Sequence, residues 1–553
     1  MVMNQNTAMM VMVGTGVFML FTIWTLFQVA KRTRWFPFLT NQPGAKLPTI
    51  VAGLSIANSW AFAPALYIAA LKAYKEGWVG WGWFSLDNVA CLIFFSVFGY
   101  FAIKVDSNIQ LLTYLRDRYS TRVYSLYRAI YGTFLTFAFA AQLLTASMLL
   151  EYVAGVPRLS STVIMSVIPF VYTYFGGLRA SVLSDLIQMA IFVIGGIILV
   201  PLAIDGAGGW GVLTNGLHGI SGTFTSPFSG DGLWMSTLPF GLPTLLYLMS
   251  GPVGDPGLHQ RLRAVKNVTG SFLLAVPLFL IVPVIFGTFG FLAAGAHLRM
   301  GNPELVNVQS AMHFLPTVAK IGYVLMVYTA LTSKLSGIYA SILSLNDGYR
   351  GEVSATRVRM ADLAHMTLAT VFAISIANGV GESILMLFLM YGGVRSVTFL
   401  PITMSIFAPR KRYDEAGIYW GIIAGLCIGF PLVLFGIHLP STMLMIAGSF
   451  AAVLIPGIVM RAVTLSTTPE VSAQRRIERY MRTMLREGTL SSATFRLFLA
   501  FALMMGIQAG NLLHYFNVEI PIQGILLVIG ALILSILIIL GRALVRGYIA
   551  SRH

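Results

Sequence analysis

The chain has 553 residues, of which 57% are apolar and only 10% are charged, and its mean hydropathy is +0.80. An average soluble domain carries roughly 25% charged residues. A cytosolic enzyme, a secreted disulfide scaffold and a disordered chain are therefore excluded, and the chain reads as a polytopic membrane protein. The net charge of +16 then asks first which side of a membrane the basic residues occupy. Cys91 and Cys427 both sit in apolar runs, so neither a disulfide framework nor a metal cluster is available.

A helix needs about 20 apolar residues to cross the hydrocarbon core. Runs of that kind fall near 8–30, 48–72, 79–104, 122–153, 160–176, 179–204, 235–252, 271–293, 318–346, 360–380, 383–407, 416–436, 441–461, 493–513 and 521–545, which makes fifteen expected spans. The first has no basic leader and no small-residue cleavage site, so it reads as a span rather than a signal peptide. Alternate loops carry the Lys and Arg: 31–34, 104–122, Arg179, 261–266, 350–359, 410–412, 475–486 and the C-terminus. The intervening loops 205–234, 294–316, 437–440 and 514–520 are nearly free of them. That alternation predicts an outer N-terminus and an inner C-terminus, with most of the excess charge against anionic inner-leaflet lipid. Nucleic acid is not an expected partner.

Seven regions follow: 1–45, an extra span and inner loop; 46–204, spans 2–6; 205–234, an outer loop; 235–410, spans 7–11; 411–461, spans 12–13; 462–492, a basic inner segment; and 493–553, two appended spans. Gln474 to Glu487 reads as a basic amphipathic helix at the interface, which a solvated linker helix explains as well as a regulatory element. The appended spans could dock a small membrane partner. No soluble domain and no phosphate-binding Gly-Lys-Ser/Thr loop is read in the chain.

Two spans look interrupted. Span 2 places Ser55, Asn58, Ser59 and Pro64 mid-membrane, and span 7 carries Gly251-Pro252 and Gly254-Asp255-Pro256-Gly257. Proline removes a backbone donor and glycine costs about 1 kcal/mol against alanine in a helix interior, so neither stretch is expected to stay helical throughout. Interrupted helices are how membrane proteins expose backbone polar groups at depth. The two breaks lie five spans apart, as expected if spans 2–6 and 7–11 are inverted repeats. Four ionisable residues lie inside spans: Asp87, Asp185, Lys334 and Arg395. Such residues read as functional by default, although two buried ion pairs fixing helix packing would also account for them. Glu151 and Glu382 sit near span ends and read as snorkelling.

Four stretches resemble the sodium:solute symporter family. They are Thr113 to Tyr119; Tyr174 to Gln188, with Gly176-Gly177-Leu178, Ala180, Ser184-Asp185 and Gln188; Asp255 to Lys266, with Gln260, Arg261, Ala264 and Lys266; and Thr332-Ser333 through Asp347-Gly348-Tyr349. The resemblance covers roughly residues 8–460. It implies an all-α, LeuT-type 5+5 inverted-repeat core at spans 2–11, with one extra N-terminal span and four extra C-terminal ones. It also implies a sodium ion between the broken span 2 and span 9. By motif position its ligands are the carbonyls of Ile56, Ser59 and Thr329 and the hydroxyls of Thr332 and Ser333, with Asp185 behind them. A hard cation wants several oxygen ligands, and adjacent hydroxyls can supply two. Those hydroxyls could equally bond back to their own helix.

The sequence departs from that family at Lys334, where a small or apolar residue is usual. Its ammonium could take the sodium position, making transport proton-coupled or uncoupled, or it could bind a substrate carboxylate beside sodium. Arg395 is not predicted by the family motifs, Pro256 replaces a residue often polar, and Gly251 stands where some sugar carriers place an aromatic ring. These features point to a small carboxylate or amino acid as substrate, with urea or another small neutral solute second. Expected pocket residues are Asn58, Trp60, Ala63, Ser250, Gly251, Lys334 and Arg395, beside spans 4, 9 and 11. The expected function is cation-coupled symport by alternating access in a cell membrane, the bacterial inner membrane first, with no organic cofactor. A membrane enzyme is disfavoured because the eight histidines scatter through loops and span ends. A transport-like sensor is a further class.

Overall fold

The computed structural model describes Trp24 and residues 46–467, except 108, 347–353, 380–382, 409–412 and 440. Expected spans 1, 14 and 15, the Gln474–Glu487 helix and the Asp347–Tyr349 motif therefore lie outside the described residues. The helices are α1 (Thr49–Trp60), α2 (Ala63–Val105), α3 (Leu111–Arg118), α4 (Thr121–Ala154), α5 (Arg158–Gly206), α6 (Trp210–Asn215), α7 (Leu242–Gly254), α8 (Pro256–Ala264) and α9 (Val268–Gly295). They continue as α10 (Val306–Phe314), α11 (Thr317–Ser344), α12 (Ala355–Gly379), α13 (Ile384–Ser396), α14 (Phe399–Phe407), α15 (Glu415–Ala424), α16 (Phe430–His438) and α17 (Thr442–Thr467). A π-helical turn, Gly232–Gly241, leads into α7. Among the described residues there is no strand, only one isolated bridge between Leu47 and Val265. Nine helical runs there are long and apolar enough to cross a membrane.

Two long runs each reverse direction. In α2, Gly77 adopts φ +60°, a conformation that glycine alone reaches cheaply. The stretches on either side of it correspond to the end of expected span 2 and to span 3. In α5, Phe170 stacks edge-on against Tyr339 at 5.4 Å, while Ser184 meets Ser336 at 3.3 Å. Those partners are three residues apart on α11, about 4.5 Å along a helix, but Phe170 and Ser184 would be about 21 Å apart on a straight one. The α5 run therefore folds back between them, which accommodates the expected spans 160–176 and 179–204 within one hydrogen-bonded stretch.

Both interruptions fall where the Pro and Gly residues put them. Between α1 and α2 the chain leaves helical geometry at Ala61 and Phe62. Between α7 and α8 it does so at Asp255, whose carboxylate caps α8 by accepting from the Gly257 amide at 2.7 Å, with Pro256 as the first helical residue. This is the side-chain cap followed by proline that starts helices generally. The exposed ends of α7 are satisfied by side chains. Pro252 has no amide to give Leu248, and the Leu248 carbonyl accepts from Cys91 Sγ at 3.0 Å instead. Tyr131 donates to the Gly251 carbonyl at 3.4 Å, and Tyr127 donates to that of Gly254. Packed around these breaks are α2 against α9, α5 against α11, and α4 against α12 and α13.

Candidate functional site

Asp185, 1% exposed, lies on α5 where α1, α8 and α11 meet. Its Oδ2 accepts from the hydroxyls of Ser55 and Ser59, both at 2.8 Å, and from Arg261 Nη2 at 3.5 Å. Its Oδ1 accepts from Asn58 Nδ2 at 2.8 Å and from the Ser333 hydroxyl at 3.5 Å. Ser55, Asn58 and Ser59 converge on it because spacings of three and four residues share one helix face. Arg261 also donates to Ser59 Oγ at 2.6 Å. Lys334, 3% exposed, donates to the Asn58 backbone carbonyl and, at 2.6 Å, to Asn58 Oδ1. The direct ion-pair partner of Asp185 is thus Arg261 rather than Lys334, and Lys334 reaches the carboxylate only through Asn58. One carboxylate here faces two cations.

The residues expected to hold sodium have separate fates. At the α1 break the Ala63 amide donates to Gln142 Oε1 at 2.9 Å, which takes from the Ser59 carbonyl its helical donor and leaves that oxygen available. Ile56 is fully buried on the same helix. The Thr332 hydroxyl bonds back to the Thr329 carbonyl at 2.8 Å, and the Ser333 hydroxyl is turned to Asp185 and receives Asn58 Nδ2 at 3.2 Å. Lys334 adjoins these groups through Asn58.

The remaining expected pocket residues form a second cluster around Arg395, 3% exposed. Its Nε donates to the Tyr247 carbonyl at 3.0 Å. The guanidinium lies over the rings of Phe134, Tyr391 and Trp60, 5.5, 5.8 and 5.9 Å from their centroids. Gly251 makes room for it, since a Cβ there would stand 2.7 Å from Arg395 Cζ. Trp60 is fixed by donating its indole N–H to Asn88 Oδ1 at 2.9 Å, and Ser250 bonds the Tyr247 carbonyl at 2.6 Å and Ser396 at 3.2 Å. Asp87 and Arg395 do not form an ion pair, and Asp87 Oδ2, Arg395 Nη2 and Gln142 Nε2 are all buried without a hydrogen-bond partner.

The structure therefore joins Asn58, Ser59, Ser333, Lys334 and Asp185 in one cluster and Trp60, Ser250, Gly251 and Arg395 in another, with Ala63 at the break between them. Sequence reasoning missed Ser55, Arg261 as the partner of Asp185, Gln142, and the rings of Phe134 and Tyr391. Ser55 was signalled by its four-residue spacing from Ser59, and Gln142 by being an amide inside an apolar span. The two rings are indistinguishable in sequence from any core aromatic.

The model of the sodium:solute symporter family matches residues 42–425. A sodium/mannose cotransporter of Bos taurus is 25% identical over 374 residues, 57% of this chain and 60% of that protein. The sodium/pantothenate symporter of Escherichia coli is 23% identical over 313 residues, 53% of this chain and 64% of that one. These matches span a little under two thirds of either relative. A sodium-coupled sialic acid symporter solved in a substrate-bound outward-open state has the same fold, with TM-score 0.60, 16% identity, and coverage of 82% of this chain and 98% of that one. Mhp1, a nucleobase-cation-symport-1 transporter solved in a closed conformation, aligns with TM-score 0.52 and 13% identity over 79% and 97% of the two chains.

Proposed function

The chain belongs to the sodium:solute symporter family, and we propose from that premise that it is a secondary active transporter. It carries a small organic solute across a cell membrane by alternating access, with sodium as the coupling ion. The observation that carries this reading is the pair of helix breaks, at Ala61-Phe62 and at Asp255, each lined by buried polar groups that a soluble core would not assemble. Rocking of one five-helix repeat against the other about these breaks exposes the solute to each side in turn. The freed Ser59 carbonyl, the Ile56 and Thr329 carbonyls and the hydroxyls of Thr332 and Ser333 supply the oxygens for sodium, with Asp185 providing negative potential behind them. The solute, a small carboxylate or amino acid, occupies the region of Trp60, Ala63, Ser250, Gly251 and Arg395. Saturable uptake of labelled solutes into proteoliposomes, lost when the ion gradient is collapsed, tests the reading. A chain that takes up no carboxylate, amino acid or urea under any gradient would refute it.

A second reading has one specific observation in its favour. Lys334 Nζ bonds the Asn58 carbonyl at the α1 break, next to where sodium would sit. Two unit charges about 4 Å apart at an effective dielectric of 20 repel by about 4 kcal/mol, and Arg261 already engages Asp185. In this reading the ammonium stands in for the ion, and transport is proton-coupled or uncoupled.

A further inference from the structure

Asp87 and Arg395 face the same interval of the helix bundle. On α2, Phe84 packs against Phe388 at 6.3 Å and Phe94 against Phe399 at 6.0 Å. These contacts align that part of α2 side by side with α13 and the start of α14. At 100° per residue, Asp87 falls within the arc bounded by Phe84 and Phe94, together with Cys91 one turn further on. Cys91 donates to the Leu248 carbonyl and Arg395 Nε to the neighbouring Tyr247 carbonyl, each at 3.0 Å. Cys91, one turn beyond Asp87 on the same face of α2, and Arg395 thus meet neighbouring carbonyls of one turn of α7, just ahead of its break.

Each group keeps a buried polar atom without a hydrogen-bond partner. Asp87 is 2% exposed and its Oδ2 has no partner; Arg395 is 3% exposed and its Nη2 has none. Elsewhere in the described residues buried charges do pair, Lys72 with Glu76 and Arg261 with Asp185. Aromatic faces attract the guanidinium but offer no acceptor in its plane. Buried polar atoms left without partners are costly, and a chain gains nothing structurally by leaving a carboxylate and a guanidinium in that state. A ligand bearing both complementary charges satisfies both at once.

We propose that Asp87 and Arg395 form a two-ended recognition site for a zwitterionic solute, the carboxylate on Arg395 and the ammonium on Asp87. This rests on the transporter reading and narrows its substrate class from carboxylates in general to amino-acid-like zwitterions. Trp60, Phe134 and Tyr391 line the carboxylate end and exclude water from it, and Gly251 lets the guanidinium pack close against α7. A simple acid meets only one end, and an amine only the other.

Binding to the purified full chain in detergent, followed as thermal stabilisation, tests this with matched triplets and the proteinogenic amino acids. The triplets are alanine, propionate and ethylamine, and valine, isovalerate and isobutylamine. The site predicts that at least one zwitterion stabilises the protein at a concentration at least tenfold below that needed for its acid or amine. Asp87→Asn is expected to remove most of the preference for zwitterion over acid while acid binding persists, and Arg395→Gln to abolish binding of both. Equal potency of zwitterion and acid, a preference unchanged by Asp87→Asn, or no response to any amino acid would overturn the proposal. Proteoliposome uptake of urea or a simple carboxylate alongside such a result would leave the transporter reading standing while this inference falls.

Discussion

Arg261 reaches Asp185 across 76 residues of sequence, Nη2 to Oδ2 at 3.5 Å, and the Ser59 hydroxyl bonds both partners. This contact ties α8, just beyond the second helix break, to α1, just before the first. The elements that flank the two breaks are thus linked through one buried carboxylate on α5.

Asp185→Asn is expected to destabilise the fold, because it leaves the Arg261 guanidinium buried without a counter-charge. Breaking a buried pair at one end costs about 3–5 kcal/mol. The double variant Asp185→Asn/Arg261→Gln should recover part of that loss, and the coupling can be read as a double-mutant cycle from denaturation in detergent. Strictly additive losses would mean that the pair is not energetically linked.

If sodium couples transport beside Lys334, the ammonium weakens the ion's binding. Lys334→Ala should then lower the sodium concentration for half-maximal uptake by tenfold or more, since 1.4 kcal/mol corresponds to a factor of ten and the repulsion at about 4 Å reaches about 4 kcal/mol. An unchanged half-saturation would place ion and ammonium in separate environments. Sodium dependence appearing only in the variant would favour Lys334 as the ion's substitute.

Gly77→Ala tests the reversal in α2. The residue has φ +60°, and a Cβ there would stand 2.6 Å from the Gly219 amide nitrogen. With ψ at −150° this positive-φ conformation is essentially confined to glycine and costs another residue about 1–3 kcal/mol, and the overlap with backbone adds to it. A marked fall in unfolding temperature is expected. Gly82→Ala, where a Cβ would have nothing within 4 Å, should be neutral or mildly stabilising. Similar behaviour of the two variants would contradict the reversal at Gly77.

Much of this was legible in the sequence because its signals are local. Pro64 and the Pro and Gly cluster at 251–257 mark where helices stop, and Ser55, Asn58 and Ser59 share a face by spacing alone. Pairing is not local. Four ionisable residues in the spans suggested two ion pairs among themselves, and the fold instead brings in Arg261 for Asp185 and forms no ion pair between Asp87 and Arg395. Arg261 stood at the end of a motif where a loop cation was expected, and only the extension of α8 from its Asp255 cap turns it inward. Likewise the rings around Arg395 come from α1, α4 and α13, a convergence no single stretch encodes.

The most direct test of the central claim is uptake into proteoliposomes with external sodium replaced by choline at constant pH and constant membrane potential. Sodium-coupled symport predicts that accumulation of the solute stops. Undiminished accumulation in choline, driven by a proton gradient or by the solute's own gradient, would contradict sodium coupling.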